Sequence, residues 1–222
     1  MNVDSFFSRS FERCINNKML YYSYCINQEE IFNYIHCINK IPIQEMVEYI
    51  LDRSEVSITT RDIFQFSNFD DATVKACQAL KKINNPGVNF CRMGQLLLDD
   101  GKTRRETAYI KYGENHAKTA ESLGLMFSLC NTYFLSCVGH VMPATLDDAR
   151  KKLMERLVLR SNLIMRILQL TKDGCINARE FLFMISESTY LRRKCNIRCV
   201  LNVISQSEEY DFASFIKNVK FE

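Results

Sequence analysis

No apolar run in the 222 residues reaches the roughly 18 that a helix needs to cross a bilayer, so no membrane span is expected. The opening stretch, MNVDSFFSRSFERC, has neither a long apolar core nor a small-residue cleavage site. That predicts no signal peptide and makes the cytoplasm the expected compartment. Among the ten cysteines there is no CxxC; the nearest approaches are Cys195 with Cys199 and Cys130 with Cys137. Zinc sites want ligands in paired clusters, and His36, His116 and His140 are scattered. No metal is expected, and the cysteines read as reduced thiols that behave as small hydrophobes. Tryptophan is absent, proline occurs three times, and no long linker or low-complexity segment appears. A Walker loop, a GxSxG elbow and a Cys–His pair in a supporting context are also missing.

What is present is an ordinary globular composition, 47% hydrophobic and 25% charged, with room for one large domain or two small ones. The net charge of +3 is unevenly spread. Residues 1–72 hold six Lys/Arg against eleven Asp/Glu, whereas residues 149–200 hold twelve against four. Such asymmetry suggests that the C-terminal part meets a polyanion; a solvated helix surface is the plainer alternative.

Along the chain, residues 4–20 and 28–52 read as helices, the second broken near Lys40 by Pro42. Residues 57–66, SITTRDIFQF, alternate like a short strand. Helices are expected over 71–83, about 92–98, and within 104–125, where Gly113 argues for a break that leaves 114–123 as the strongest part and Gly124 for a cap. Two apolar runs, 126–130 and 133–138, flank Asn131-Thr132 as in a hairpin. Three helices and a hairpin are the plan of a winged helix. Further helices are expected at 145–159, 162–170 and 176–185, then a basic helix, SESTYLRRKCNIRCVLNVI, over 186–204, and a packing helix in the tail. Ser, Glu and Thr open the basic helix as N-terminal formers. Leu191, Cys195, Val200, Val203 and Ile204 are expected on its buried side. A turn followed by a helix that is basic near its start is the helix-turn-helix arrangement.

Two stretches carry a resemblance. One is Lys111-Tyr112-Gly113-Glu114-Asn115-His116 with Lys118-Thr119-Ala120 and Leu123-Gly124-Leu125; the other is Ser186-Glu187-Ser188-Thr189 with Arg192-Arg193. Their order and spacing resemble a double winged-helix DNA-binding module that recurs beside nuclease domains in bacterial type II restriction endonucleases. There the blocks read roughly KYGENxxKTAxxLGL and SxSTxxRRxxTxxxWxxWI, joined by two helices matched here by 145–171. Asn196 or Ile197 stands at the family's Thr, and Val200 and Val203 at its Trp positions. The resemblance implies double-stranded DNA as ligand.

The expected fold is therefore mainly α: two winged-helix or helix-turn-helix units with a small β-hairpin wing, plus an N-terminal helical segment, divided as 1–56, 57–142 and 143–222. Arg192 and Arg193 can grip phosphate or read guanine, and Ser188 and Thr189 can donate to phosphate, with Asn196 following on the same helix. In the first unit, Asn115, His116, Lys118 and Thr119 lie on the candidate recognition helix, preceded by a basic turn of Lys102, Arg104 and Arg105. The expected function is sequence recognition of double-stranded DNA within a restriction or defence system. A transcriptional regulator and a metal-dependent endonuclease are the alternatives. The nearest nuclease set is Asp99, Asp100, Glu106 and Lys111, whose spacing does not match an acid-x-Lys strand, so no catalytic residue is assigned. No cofactor is expected, with Mg2+ required only by the nuclease reading. The acidic N-terminal helices read either as a packing layer or as a homodimerisation arm, and no membrane contact is expected.

Overall fold

The structure is a computed structural model that describes residues 1–22, 28–84 and 87–222. The described residues are mainly helical, with two small two-stranded sheets. The chain opens with α1 (Val3–Ser8) and α2 (Ser10–Tyr22), separated at Arg9, whose φ of 55° interrupts the helix. Next come α3 (Gln28–Asn39) and α4 (Ile43–Asp52). The break between them falls where Pro42, at φ −61°, forms the N-cap of α4. Ile43, Met46, Val47 and Ile50 recur at helical spacing and are all buried.

The strand expected over 57–66 does not form. The Asp62 carboxylate accepts from both the amide and the hydroxyl of Thr59, at 2.7 and 2.8 Å. The Gln65 amide donates to the Thr119 hydroxyl at 3.3 Å. Side chains thus take the backbone donors that a neighbouring strand would need.

Then follow α5 (Val74–Lys82), α6 (Phe90–Leu97) and α7 (Glu106–Ser122). Asn89 caps α6 by accepting from the Arg92 amide at 2.9 Å. The break expected at Gly113 is absent: α7 runs straight through it. A Cβ at Gly113 would overlap the Phe90 carbonyl oxygen, and one at Gly94 would lie 2.6 Å from the Tyr109 carbonyl carbon. Both glycines are there because the α6 and α7 backbones touch.

Strands β1 (Met126–Leu129) and β2 (Thr132–Leu135) pair antiparallel, Met126 opposite Leu135. Cys130 and Asn131 turn the hairpin at φ 49° and 60°, the positive pair that a two-residue turn of matching twist requires. Val88, between α5 and α6, pairs with Tyr133 through two backbone hydrogen bonds of 3.0 and 2.8 Å. α8 (Cys137–Val141) is capped by Ser136 and leads through a 3-10 turn, Met142–Ala144, to α9 (Asp147–Leu159).

The C-terminal part holds α10 (Asn162–Thr171), β3 (Ile176–Asn177), α11 (Ala178–Phe181), α12 (Glu187–Ser205), α13 (Ala213–Lys217) and β4 (Val219–Lys220). β3 and β4 pair in parallel. The helix expected over 176–185 is only the single turn of α11, because Ile176 and Asn177 pair with the tail instead.

These elements form two compact units. One comprises Ser8–His36 and Gln65–Asp147, the other Met1–Phe7, Cys37–Phe64 and Asp148–Glu222. The core of the first is built on Leu80, Met93, Ala117, Ala120, Leu123 and Val138. That of the second is built on Met46, Ile50, Leu157, Leu168, Ile197 and Val200. Arg156, 1% exposed, is a polar hub of the second. Its guanidinium donates to the Ile41 carbonyl at 3.1 and 2.8 Å, to the Lys152 carbonyl at 3.2 Å and to Glu209 at 2.7 Å.

Candidate nucleic-acid interface

Helix α12 is fixed by Tyr190, Ile197, Val200, Leu201 and Ile204, which are buried at helical spacing. Its phase differs from the expected one. Leu191 is 51% exposed and Cys195 is exposed, so neither belongs to the buried side, whereas Val200 and Ile204 do. Tyr190 and Ile197 take their places and rotate the helix. The outward face reads Ser188, Leu191, Arg192, Cys195, Arg198, Cys199 and Asn202.

At the start of α12, Ser186 is the N-cap and accepts from the Thr189 amide at 3.4 Å. Its hydroxyl also donates to that of Thr189 at 2.9 Å. Ser188 is exposed. Arg192 folds back over this turn, donating to the Ser188 carbonyl at 3.1 Å and to the Thr189 hydroxyl at 3.4 Å. Ser188, Thr189 and Arg192 are thus brought together. Arg193 points the other way: it is half-buried, and its Nη1 has no hydrogen-bond partner among the described residues. Burial, with Arg192 adding repulsion, pushes the Arg193 guanidinium down to about 10, which leaves it charged at neutral pH. Asn196 is buried among the core residues of its helix. Arg198 lies over the Phe221 ring at 4.7 Å and remains exposed.

Five cations elsewhere in this unit are held in ion pairs. Lys151 bonds Glu208, Lys152 and Arg156 bond Glu209, Arg166 bonds Glu55 and Arg179 bonds Glu187. Among the described residues, none of Arg192, Arg193, Lys194 and Arg198 pairs with an acid. Sequence supplies the reason, since no Asp or Glu occurs from Ser188 to Ser207. Lys194 and Arg198 were not among the expected contact residues, although the same acid-free run marks them.

The candidate residues of the other unit are arranged differently. Arg104 and Asp100 form a two-point ion pair at 2.6 and 2.5 Å, and Arg104 also bonds the Lys102 carbonyl at 3.2 Å. Lys118 is paired with Glu114 at 2.5 Å and lies over the Phe90 ring at 5.7 Å. His116 is 0% exposed. Its Nε2 accepts from the Ser67 amide at 3.4 Å, so Nδ1 carries the hydrogen and donates to the Tyr112 carbonyl at 2.7 Å. Thr119 is buried and exchanges hydrogen bonds with both backbone groups of Gln65, at 2.9 and 3.3 Å. His116 and Thr119 therefore spend their polar atoms holding the 65–67 segment on α7. Lys102 and Arg105 are exposed and Asn115 is partly exposed. Lys111 joins Asn115 and Lys118 at spacings of four and three on α7, a series visible only once the helix is known to continue through Gly113.

The Asp99, Asp100, Glu106 and Lys111 set does not form a cluster of metal ligands on a strand. Asp100 is held by Arg104, and Glu106 opens a helix. Among the described residues no group of three or more His, Cys, Asp or Glu side chains is placed to hold an ion. No helix among them is long and apolar enough to cross a membrane. No family model, curated protein or solved structure matches the chain.

Proposed function

We propose that the chain binds double-stranded DNA through α12. The observation that carries this is the run of four cations on α12, none of them paired with an acid among the described residues, two of which, Arg192 and Arg198, lie on its exposed face. A major groove admits an α-helix, and guanidiniums without acid partners on a helix of 19 residues are available to the phosphates that line it. In this reading Arg192 and Arg198 face the groove, Ser188 and the first turn meet phosphate, and Arg193 supports the helix from behind. α11, the turn over 182–186 and α12 act as the helix-turn-helix.

The same reading makes the other unit a winged helix. Its order of helix, bridge residue, two helices and hairpin, with Val88 bonded to Tyr133, supports that assignment. α7 is then the second recognition helix and presents Lys111, Asn115 and Lys118. Of its two cations Lys118 is neutralised by Glu114, so this helix contributes less to affinity. Together the two units form the sequence-recognition module that the resemblance to restriction enzymes suggests.

The test is fluorescence anisotropy of a labelled random-sequence duplex over a range of salt. Binding should weaken linearly on a log–log scale, with a slope of about −0.9 for each phosphate neutralised. Arg192→Ala with Arg198→Ala should flatten that slope by about two and lower affinity. No binding to any duplex at low salt overturns the proposal.

A further inference from the structure

The outward face of α12 carries two thiols one turn apart. Cys195 and Cys199 are both exposed and neither is in a disulfide, although cysteine is among the residue types most often buried. Positions four apart on a helix place their Cβ atoms about 5–6 Å from each other on one face. Two metal–sulfur bonds of about 2.3 Å each, in line, span about 4.6 Å, which side chains converging from that spacing can supply. No acid or histidine lies between Ser188 and Ser207, so the pair offers two sulfurs and no harder ligand from its own helix. Its charged neighbours on the same face are Arg192 and Arg198.

We propose that Cys195 and Cys199 form a two-coordinate site for a soft monovalent d10 cation of the copper(I) type, and that filling it weakens the hold on DNA. Thiolates select such ions over hard ones. Binding releases the two thiol protons and forms two metal–sulfur bonds, with no change of oxidation state. The neutral thiol pair becomes a centre of net charge minus one. That charge stands between Arg192 and Arg198, and the ion occupies the middle of the groove-facing side. Metal binding stands on the thiol geometry alone; the effect on DNA rests on the proposed function.

Silver(I), stable in air, is the probe. The reduced full chain is loaded with Ag+, dialysed against excess monothiol, and read by native mass spectrometry. One Ag+ should remain on the wild type and on Cys130→Ser and Cys175→Ser, which alter exposed cysteines elsewhere. It should be lost from Cys195→Ser and from Cys199→Ser. Complete stripping of the wild type, or full retention by Cys195→Ser, overturns the site. Duplex affinity should fall about tenfold on loading the wild type and stay unchanged in the double serine variant. Retained Ag+ with unchanged affinity overturns the coupling. A metal-free chain that binds no duplex overturns the DNA reading and leaves the mass-spectrometric result to decide the site.

Discussion

A Cβ built on Gly113 would lie 2.7 Å from the amide nitrogen of Gly94. The two glycines thus mark one crossing, where α6 and α7 meet backbone to backbone. Replacing an ordinary helical glycine by alanine gains about 1 kcal/mol. Here the methyl meets main chain, which cannot swing aside as a side chain would. Gly113→Ala should therefore destabilise by about 1–3 kcal/mol, as overpacking does. Gly94→Ala should cost a similar amount. The double variant should cost less than the two together, because the first substitution already parts the helices. Additive losses in denaturant titrations would show that the two positions do not share a contact.

The two candidate DNA faces should respond differently to charge removal. Arg192→Ala takes a cation with no acid partner, so it lowers duplex affinity and flattens the salt dependence by about one. Arg104→Ala leaves Asp100 unneutralised, which adds repulsion as well as removing attraction. Its effect on DNA should be reversed in large part by Asp100→Asn in the same chain, while no second substitution of this kind restores Arg192→Ala. Anisotropy measurements on these three variants decide the matter, and equal behaviour of the two arginines would contradict the assignment.

Local chemistry was the legible part of the sequence. The Pro42 break, the Asn131 turn and the buried face of α4 were marked by residues whose effect is confined to a turn or two. The 57–66 stretch was not: Asp62 takes the Thr59 amide, and Thr119, more than fifty positions away, takes that of Gln65. Gly113 misled for a related reason. Its lack of a side chain serves a neighbouring helix, a fact that periodicity within α7 cannot carry. On α12 the basic run was plain, but its direction was not. Leu191 looked like core and is half exposed, while Asn196 looked like a contact and is buried. The choice of anchors, Tyr190 and Ile197 in place of Leu191 and Cys195, decides which arginine faces out.

Buried His116 should make folding sensitive to mild acid. Burial, partly offset by the Tyr112 carbonyl and Asp71, lowers the pKa of its imidazole below the ordinary 6.5. His140 is shifted the same way by burial and by Lys81. In the unfolded chain both rings take up protons near 6.5, while the folded chain resists until lower pH. Stability present above 6.5 is therefore lost as the pH falls below it. Thermal midpoints measured between pH 7.5 and 5.5 should decline, and the decline should be shallower in His116→Gln. An unchanged slope in that variant would rule out His116 as a source.

Arg156 and Glu209 govern the acid limb further down. Burial raises the Glu209 carboxyl, but the hydrogen bonds and charges of Arg156 and Lys152 outweigh it and hold the pKa below its ordinary 4.5. Its stabilising contribution is thus complete above about 4.5 and disappears as the pH falls through the lower folded value. Glu155 beside it opposes this: burial raises its pKa, so protonating it in acid relieves a cost. Glu209→Gln should therefore flatten the loss of stability in acid and leave a smaller loss at neutral pH, since the amide oxygen still accepts from Arg156. Arg156→Met is the harsher change. It fills the volume but leaves the Ile41 carbonyl without two of its donors and Glu209 without its buried partner. Glu209 is partly exposed and keeps Lys152, so the main cost is the buried carbonyl left short of donors, about 1–3 kcal/mol at neutral pH. A loss below about 1 kcal/mol, within the range of exposed ion pairs, would mean that Arg156 is not the hub its burial implies.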